Sequence, residues 1–215
     1  MKFSSFFALL SLLAAQNLLA QDGNWRIEKA QLPDGKSYDG TLTISRIGQS
    51  FSVDWKTTAG NYRGLGLMAD GKLFVGYGLN GGYGIVVYKM NTASQRIEGI
   101  WTASGLDGAT GTESLTGRDG NYDLVGTNPD GRPYRGKLTL QKTGDTFQAQ
   151  WQVANQVYNG VGFMTRSPGG GDYLVIAYGP GQAFGVVEYV MAGNKASGRW
   201  AMGGGSQFGI ENITR

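Results

Sequence analysis

The chain has 215 residues, a formal net charge of +3, 37 glycines, and neither cysteine nor histidine. The missing residue types exclude a disulfide framework, thiol or histidine catalysis, and zinc sites built from those ligands. Acidic and basic residues interleave, so no basic stripe marks a nucleic-acid surface, and aromatics at 12% argue against disorder.

Residues 1–20 read as an export signal. Lys2 supplies a short positive region, Phe6 to Ala15 an apolar one, and Leu18-Leu19-Ala20 ends in a small residue. Cleavage after Ala20 would start the mature chain at Gln21, in the periplasm or the external medium. Gln16 and Asn17 break the apolar run, so no membrane span is expected once the signal is removed.

The rest of the chain is written twice. Asp22-Gly23-Asn24-Trp25 returns as Asp119-Gly120-Asn121-Tyr122, and Pro33-Asp34-Gly35 as Pro129-Asp130-Gly131. Tyr38, Leu42, Phe51 and Trp55 meet Tyr134, Leu138, Phe147 and Trp151 at a constant offset. An internal duplication of this length predicts two copies of one unit, 21–117 and 118–215.

Each copy reads as short strands between turn signals. In the first, Asn24 to Lys29 precedes the Pro33-Asp34-Gly35 turn, and Tyr38 to Arg46 alternates with Leu42 and Ile44 on one face. Phe51, Val53 and Trp55 continue that alternation after Ile47-Gly48-Gln49. Tyr62 to Met68, Leu73 to Tyr77, Tyr83 to Tyr88, Ile97 to Ala103 and Gly111 to Leu115 complete the copy, with Asp70-Gly71 and Asn80-Gly81 as hairpin dipeptides. The second copy repeats the series from Gly136 to Ile213, with extra residues before Tyr173.

No helical period appears after the signal. The pattern predicts an all-β protein of two tandem eight-stranded antiparallel meander β-barrels, since closure removes exposed strand edges. A pair of sandwiches, or one merged sheet of both copies, are the alternatives. Strand glycines such as Gly64, Gly66, Gly160 and Gly162 permit the coiling of a small barrel. At this strand number the interior is filled by side chains or holds one small ligand.

Two constellations could carry chemistry. Glu113 and Glu211 occupy matching places in the last strand of each copy, on the face of Leu115 and Ile213. A carboxylate entering a barrel is either a polar anchor beneath a ligand or a structural group held by tyrosine hydroxyls or backbone N–H groups. The second constellation is aromatic: Trp55 and Trp151, Trp101 and Trp200, Tyr77 and Tyr178, Tyr88 and Tyr189. These rings either line a pocket or fill the interior.

The motif from Asn128-Pro129-Asp130-Gly131 through Tyr134 and Gly136, with Phe147…Trp151, Gly198-Arg199-Trp200 and Gly209-Ile210-Glu211, resembles exported bacterial two-repeat β proteins labelled fibronectin-binding. The resemblance covers both copies and implies an extracellular protein or glycan partner. A more distant similarity, through Gly23-Asn24-Trp25, is to the calycin barrels, the lipocalins and avidins. It implies a ligand inside the barrel, although Tyr122 replaces the tryptophan in the second copy.

The expected function is that of an exported, non-enzymatic binding protein without cofactor or metal. It would take a small ligand in the barrel interior or a surface partner through the loops. The competing readings are a carboxylate-dependent hydrolase and a structural envelope or matrix protein without ligand. Divergent loops at 78–82 and 168–172 are where partner specificity would sit.

Overall fold

A computed structural model describes residues 21–79, 81–91, 96–167 and 170–215, with the side chains of residues 91 and 96 excepted. The segment 1–20, the Asn80 half of the Asn80-Gly81 pair and residues 168–169 of the second divergent loop lie outside the described residues.

Seventeen strands and no helix make up the described residues. The first copy contributes β1 (Gly23–Gln31), β2 (Ser37–Tyr38), β3 (Gly40–Ile47), β4 (Ser50–Thr57), β5 (Gly60–Ala69), β6 (Lys72–Gly78), β7 (Gly84–Asn91), β8 (Arg96–Ala103) and β9 (Gly111–Arg118). The second contributes β10 (Asn121–Thr127), β11 (Pro133–Thr143), β12 (Thr146–Val153), β13 (Gln156–Arg166), β14 (Asp172–Tyr178), β15 (Phe184–Ala192), β16 (Lys195–Met202) and β17 (Gly209–Thr214). The strands fall where alternation placed them. At the β5–β6 hairpin, Asp70 and Gly71 both take positive φ, 47° and 77°, the type I′ geometry expected of an Asp-Gly pair.

The strands close into two eight-stranded antiparallel barrels, but the barrels are not the two sequence copies. Barrel A runs β1-β3-β4-β5-β6-β15-β16-β17 and closes where β17 pairs with β1, with β2 added beside β1. Barrel B runs β7 through β14 and closes where β14 pairs with β7. The expectation that 21–117 and 118–215 each form a barrel is therefore corrected: the copies exchange their last three strands. Strand β15 takes, beside β6, the place that β7 holds beside β14, with Tyr77 opposite Gly185 and Tyr178 opposite Gly84. Exchange leaves every kind of strand pair intact, so only the short segments 79–83 and 179–183 differ from self-closure.

Each interior is packed at depth. Trp25, Leu42, Ile44, Phe51, Val53 and Ile213 fill barrel A; Leu115, Leu124, Leu138, Ala149, Leu174 and Ile176 fill barrel B. A third cluster lies between the barrels, where outward side chains such as Phe74, Ile85, Phe163, Val175, Phe184 and Val186 meet. The strands at the join are apolar on both sides, so their outward faces are buried here as well.

A charged cluster sits in the same interface. Lys72 Nζ donates to Glu188 Oε1 (2.5 Å), Thr165 Oγ1 (2.8 Å) and the Arg166 carbonyl (2.7 Å). Arg199 Nε donates to Glu188 Oε2 at 2.7 Å, and its guanidinium lies 4.6 Å from the Phe163 ring centroid. Burial alone would raise the Glu188 carboxyl, but hydrogen bonds from Lys72, Thr165 and Arg199 outweigh it and hold the group below its ordinary value.

Candidate functional site

Above the packed half of each barrel the interior opens into a pocket floored by one glutamate. In barrel B it encloses about 270 Å³ and is bounded by Glu113, Trp101, Tyr134, Trp151, Tyr158 and Tyr178. In barrel A it encloses about 470 Å³, bounded by Glu211, Tyr38, Trp55, Tyr62, Tyr77 and Trp200.

The floor is a row across five neighbouring strands. In barrel B the row reads Tyr88 on β7, Gly99 on β8, Glu113 on β9, Gly126 on β10 and Tyr134 on β11. Each tyrosine lies over the intervening glycine; a Cβ there would stand 2.5 Å from the Tyr88 ring at Gly99 and 2.2 Å from the Tyr134 ring at Gly126. The missing side chains let both hydroxyls reach the carboxylate two strands away. Tyr134 donates to Glu113 Oε1 at 2.7 Å and Tyr88 donates to Oε2. Trp151 Nε1 donates in turn to the Tyr88 hydroxyl at 3.4 Å.

Barrel A repeats the row with Tyr189, Gly198, Glu211, Ala30 and Tyr38. Tyr38 donates to Glu211 Oε2 at 2.6 Å, while Tyr189 and Trp55 Nε1 (2.9 Å) donate to Oε1. Both carboxylates are nearly enclosed, Glu113 at 8% exposure and Glu211 at 4%. Burial pushes the Glu113 carboxyl up, against the hydroxyls of Tyr88 and Tyr134, which favour the ionised form. Burial first, then the neighbouring glutamate, keeps Tyr88 and Tyr189 well above the ordinary phenol range, so both remain donors.

The walls are rings set edge to face in matching chains. Tyr77 stands 6.0 Å from Trp55 and 5.6 Å from Tyr62, and Tyr178 stands 5.8 Å from both Trp151 and Tyr158. Trp200 meets Tyr38 at 6.5 Å, and Trp101 meets Tyr134 at 6.3 Å. Glycines again make the seats: a Cβ at Gly111 would lie 2.4 Å from the Trp101 indole, and one at Gly209 2.3 Å from that of Trp200. The indole nitrogens of Trp101 and Trp200 are buried and make no hydrogen bond of ordinary length among the described residues, but each faces a tyrosine hydroxyl, that of Tyr134 and of Tyr38 respectively, and favours its ionised form.

All ten residues singled out in the sequence gather at these two floors. They do not gather by copy: Glu211 meets Trp55 and Tyr77 of the first copy, and Glu113 meets Trp151 and Tyr178 of the second. Tyr88 and Tyr189 lie below the cavities as fully buried supports rather than as wall residues. Sequence reasoning missed Tyr38 and Tyr134, the second clasp on each glutamate, and the rim residues Tyr62 and Tyr158. Tyr38 and Tyr134 match at the constant offset of the duplication, which was the available signal.

Glu113 and Glu211 stand in separate barrels, so they do not flank one bond together; in barrel A the Asp34 carboxylate also lines the pocket of Glu211. The described residues hold no group of three or more acidic side chains placed to bind a metal. No family model, curated protein or solved structure matches the chain.

Proposed function

We propose that the chain is an exported, non-enzymatic binding protein that takes one small organic ligand in each barrel. The observation that carries this reading is the pair of aromatic-walled pockets at matching places in the two barrels, each with a nearly enclosed glutamate at its floor. Rings on most sides with a few convergent polar groups is the usual chemistry of a small-molecule site. Export rests on the apolar segment 1–20.

The test is native mass spectrometry of protein purified from its own source, followed by tryptophan fluorescence titration with whatever dissociates. Two equivalents of a small molecule per chain, released on unfolding, are expected. A bare chain whose emission no small molecule shifts sinks the proposal and leaves a structural envelope role.

A further inference from the structure

Among the described residues three glutamates are buried, and their company differs. Glu188, between the barrels, is neutralised by Lys72 and Arg199. Glu113 and Glu211, at the pocket floors, accept only from neutral hydroxyls and an indole, and neither has an ion-pair partner among the described residues. Among the described residues, no lysine or arginine lines either cavity. A buried carboxylate without a countercharge is costly, and the ring faces around it are themselves cation-binding surfaces.

We infer that both pockets receive an organic cation, its ammonium head above the glutamate and among the rings. The inference rests on the binding function proposed above. The two barrels then differ in the tail they accept. Leu32 on the rim of barrel A corresponds to Asn128 on that of barrel B, and Leu79 and Met202 add apolar surface to the wider mouth of barrel A. Barrel A therefore takes the cation with the longer apolar tail.

Calorimetry at neutral pH with choline and with 3,3-dimethylbutan-1-ol, its uncharged isostere, separates charge from shape. Choline should fill two sites and the alcohol should bind about tenfold more weakly or worse, the worth of a desolvated cation among rings. Hexyltrimethylammonium should prefer barrel A, seen as loss of its tighter site in Glu211→Gln but not in Glu113→Gln. If either variant fails to fold, Tyr158→Leu on the exposed rim of barrel B should weaken only the second choline site, by about fivefold.

Equal binding of choline and the alcohol, or tighter binding of benzoate than of either, overturns the cation and leaves the binding function standing. Equal affinity of both barrels for the hexyl compound overturns the division of tails. Silence towards choline, the alcohol and benzoate alike removes the cation, and the binding function falls with it only where mass spectrometry also finds a bare chain.

Discussion

At the scale of single residues, each pocket glutamate is the acceptor that two tyrosine hydroxyls depend on. Glu113→Ala leaves Tyr88 and Tyr134 without it, and orphaning a buried donor costs about 1–3 kcal/mol. Urea unfolding should show that loss, with Glu113→Gln falling between wild type and Glu113→Ala because an amide oxygen still accepts one bond. The titration of Glu113 and of Glu188 acts on stability in opposite directions. The folded value of Glu188 lies below its unfolded value of 4.5, so its contribution is present above that pH and lost as pH falls through the folded value. For Glu113 the folded value lies above 4.5, so acidification between the two relieves a penalty instead. Acid unfolding below 4.5 should be blunted in Glu188→Gln if the interface carboxylate is its main cause; an unchanged acid limb would place the cause elsewhere.

At the scale of strands, glycine abundance has a specific meaning here. Gly84, Gly99, Gly111 and Gly126 stand directly opposite Tyr178, Tyr88, Trp101 and Tyr134, and each accepts a ring where a side chain would be. Such ring-on-glycine pairs seat the pocket walls and allow the strands to coil. Gly99→Ala should destabilise by about 1–3 kcal/mol, since the methyl would press into the Tyr88 ring in a packed interior. Gly81→Ala, with nothing within 4 Å, is the control and should change the thermal midpoint little. If the two substitutions behave alike, the seats are not structural.

At the scale of the molecule, the barrels are locked by exchange and by the buried interface. Lys72→Met leaves Glu188 with Arg199 as its one cationic partner among the described residues, beside the Thr165 hydroxyl, and breaking a buried pair costs about 3–5 kcal/mol. Equilibrium unfolding of that variant checks the figure. The topology also predicts which pieces fold. Residues 79–183 contain the whole of barrel B in one continuous meander and should unfold cooperatively as a monomer. Residues 118–215, a full sequence copy, carry strands of both barrels and should instead assemble as a dimer that restores the exchange. A cooperative monomer from 118–215 together with an unfolded 79–183 would reverse the assignment.

The sequence by itself determined the local structure. Alternation around Leu42 and Phe51, the Asp70-Gly71 turn and the duplicated spacing specify strand, turn and inward face within a few residues of each position. It also brought forward the glutamates and rings that meet at the two pocket floors, because duplication at a constant offset marks residues repeated in both barrels. It could not decide which copy's β7-like strand lies beside β6. The two are equivalent in register and inward face, so both pairings satisfy the same hydrogen bonds and the same core. Only the tertiary structure resolved that degeneracy: β15 lies beside β6 and β7 beside β14, with the apolar outer faces of all four packed between the barrels. The same step decided that Trp55 serves Glu211 and Trp151 serves Glu113, and that tyrosines reach each carboxylate across a residue with no side chain to obstruct them, or with only a methyl.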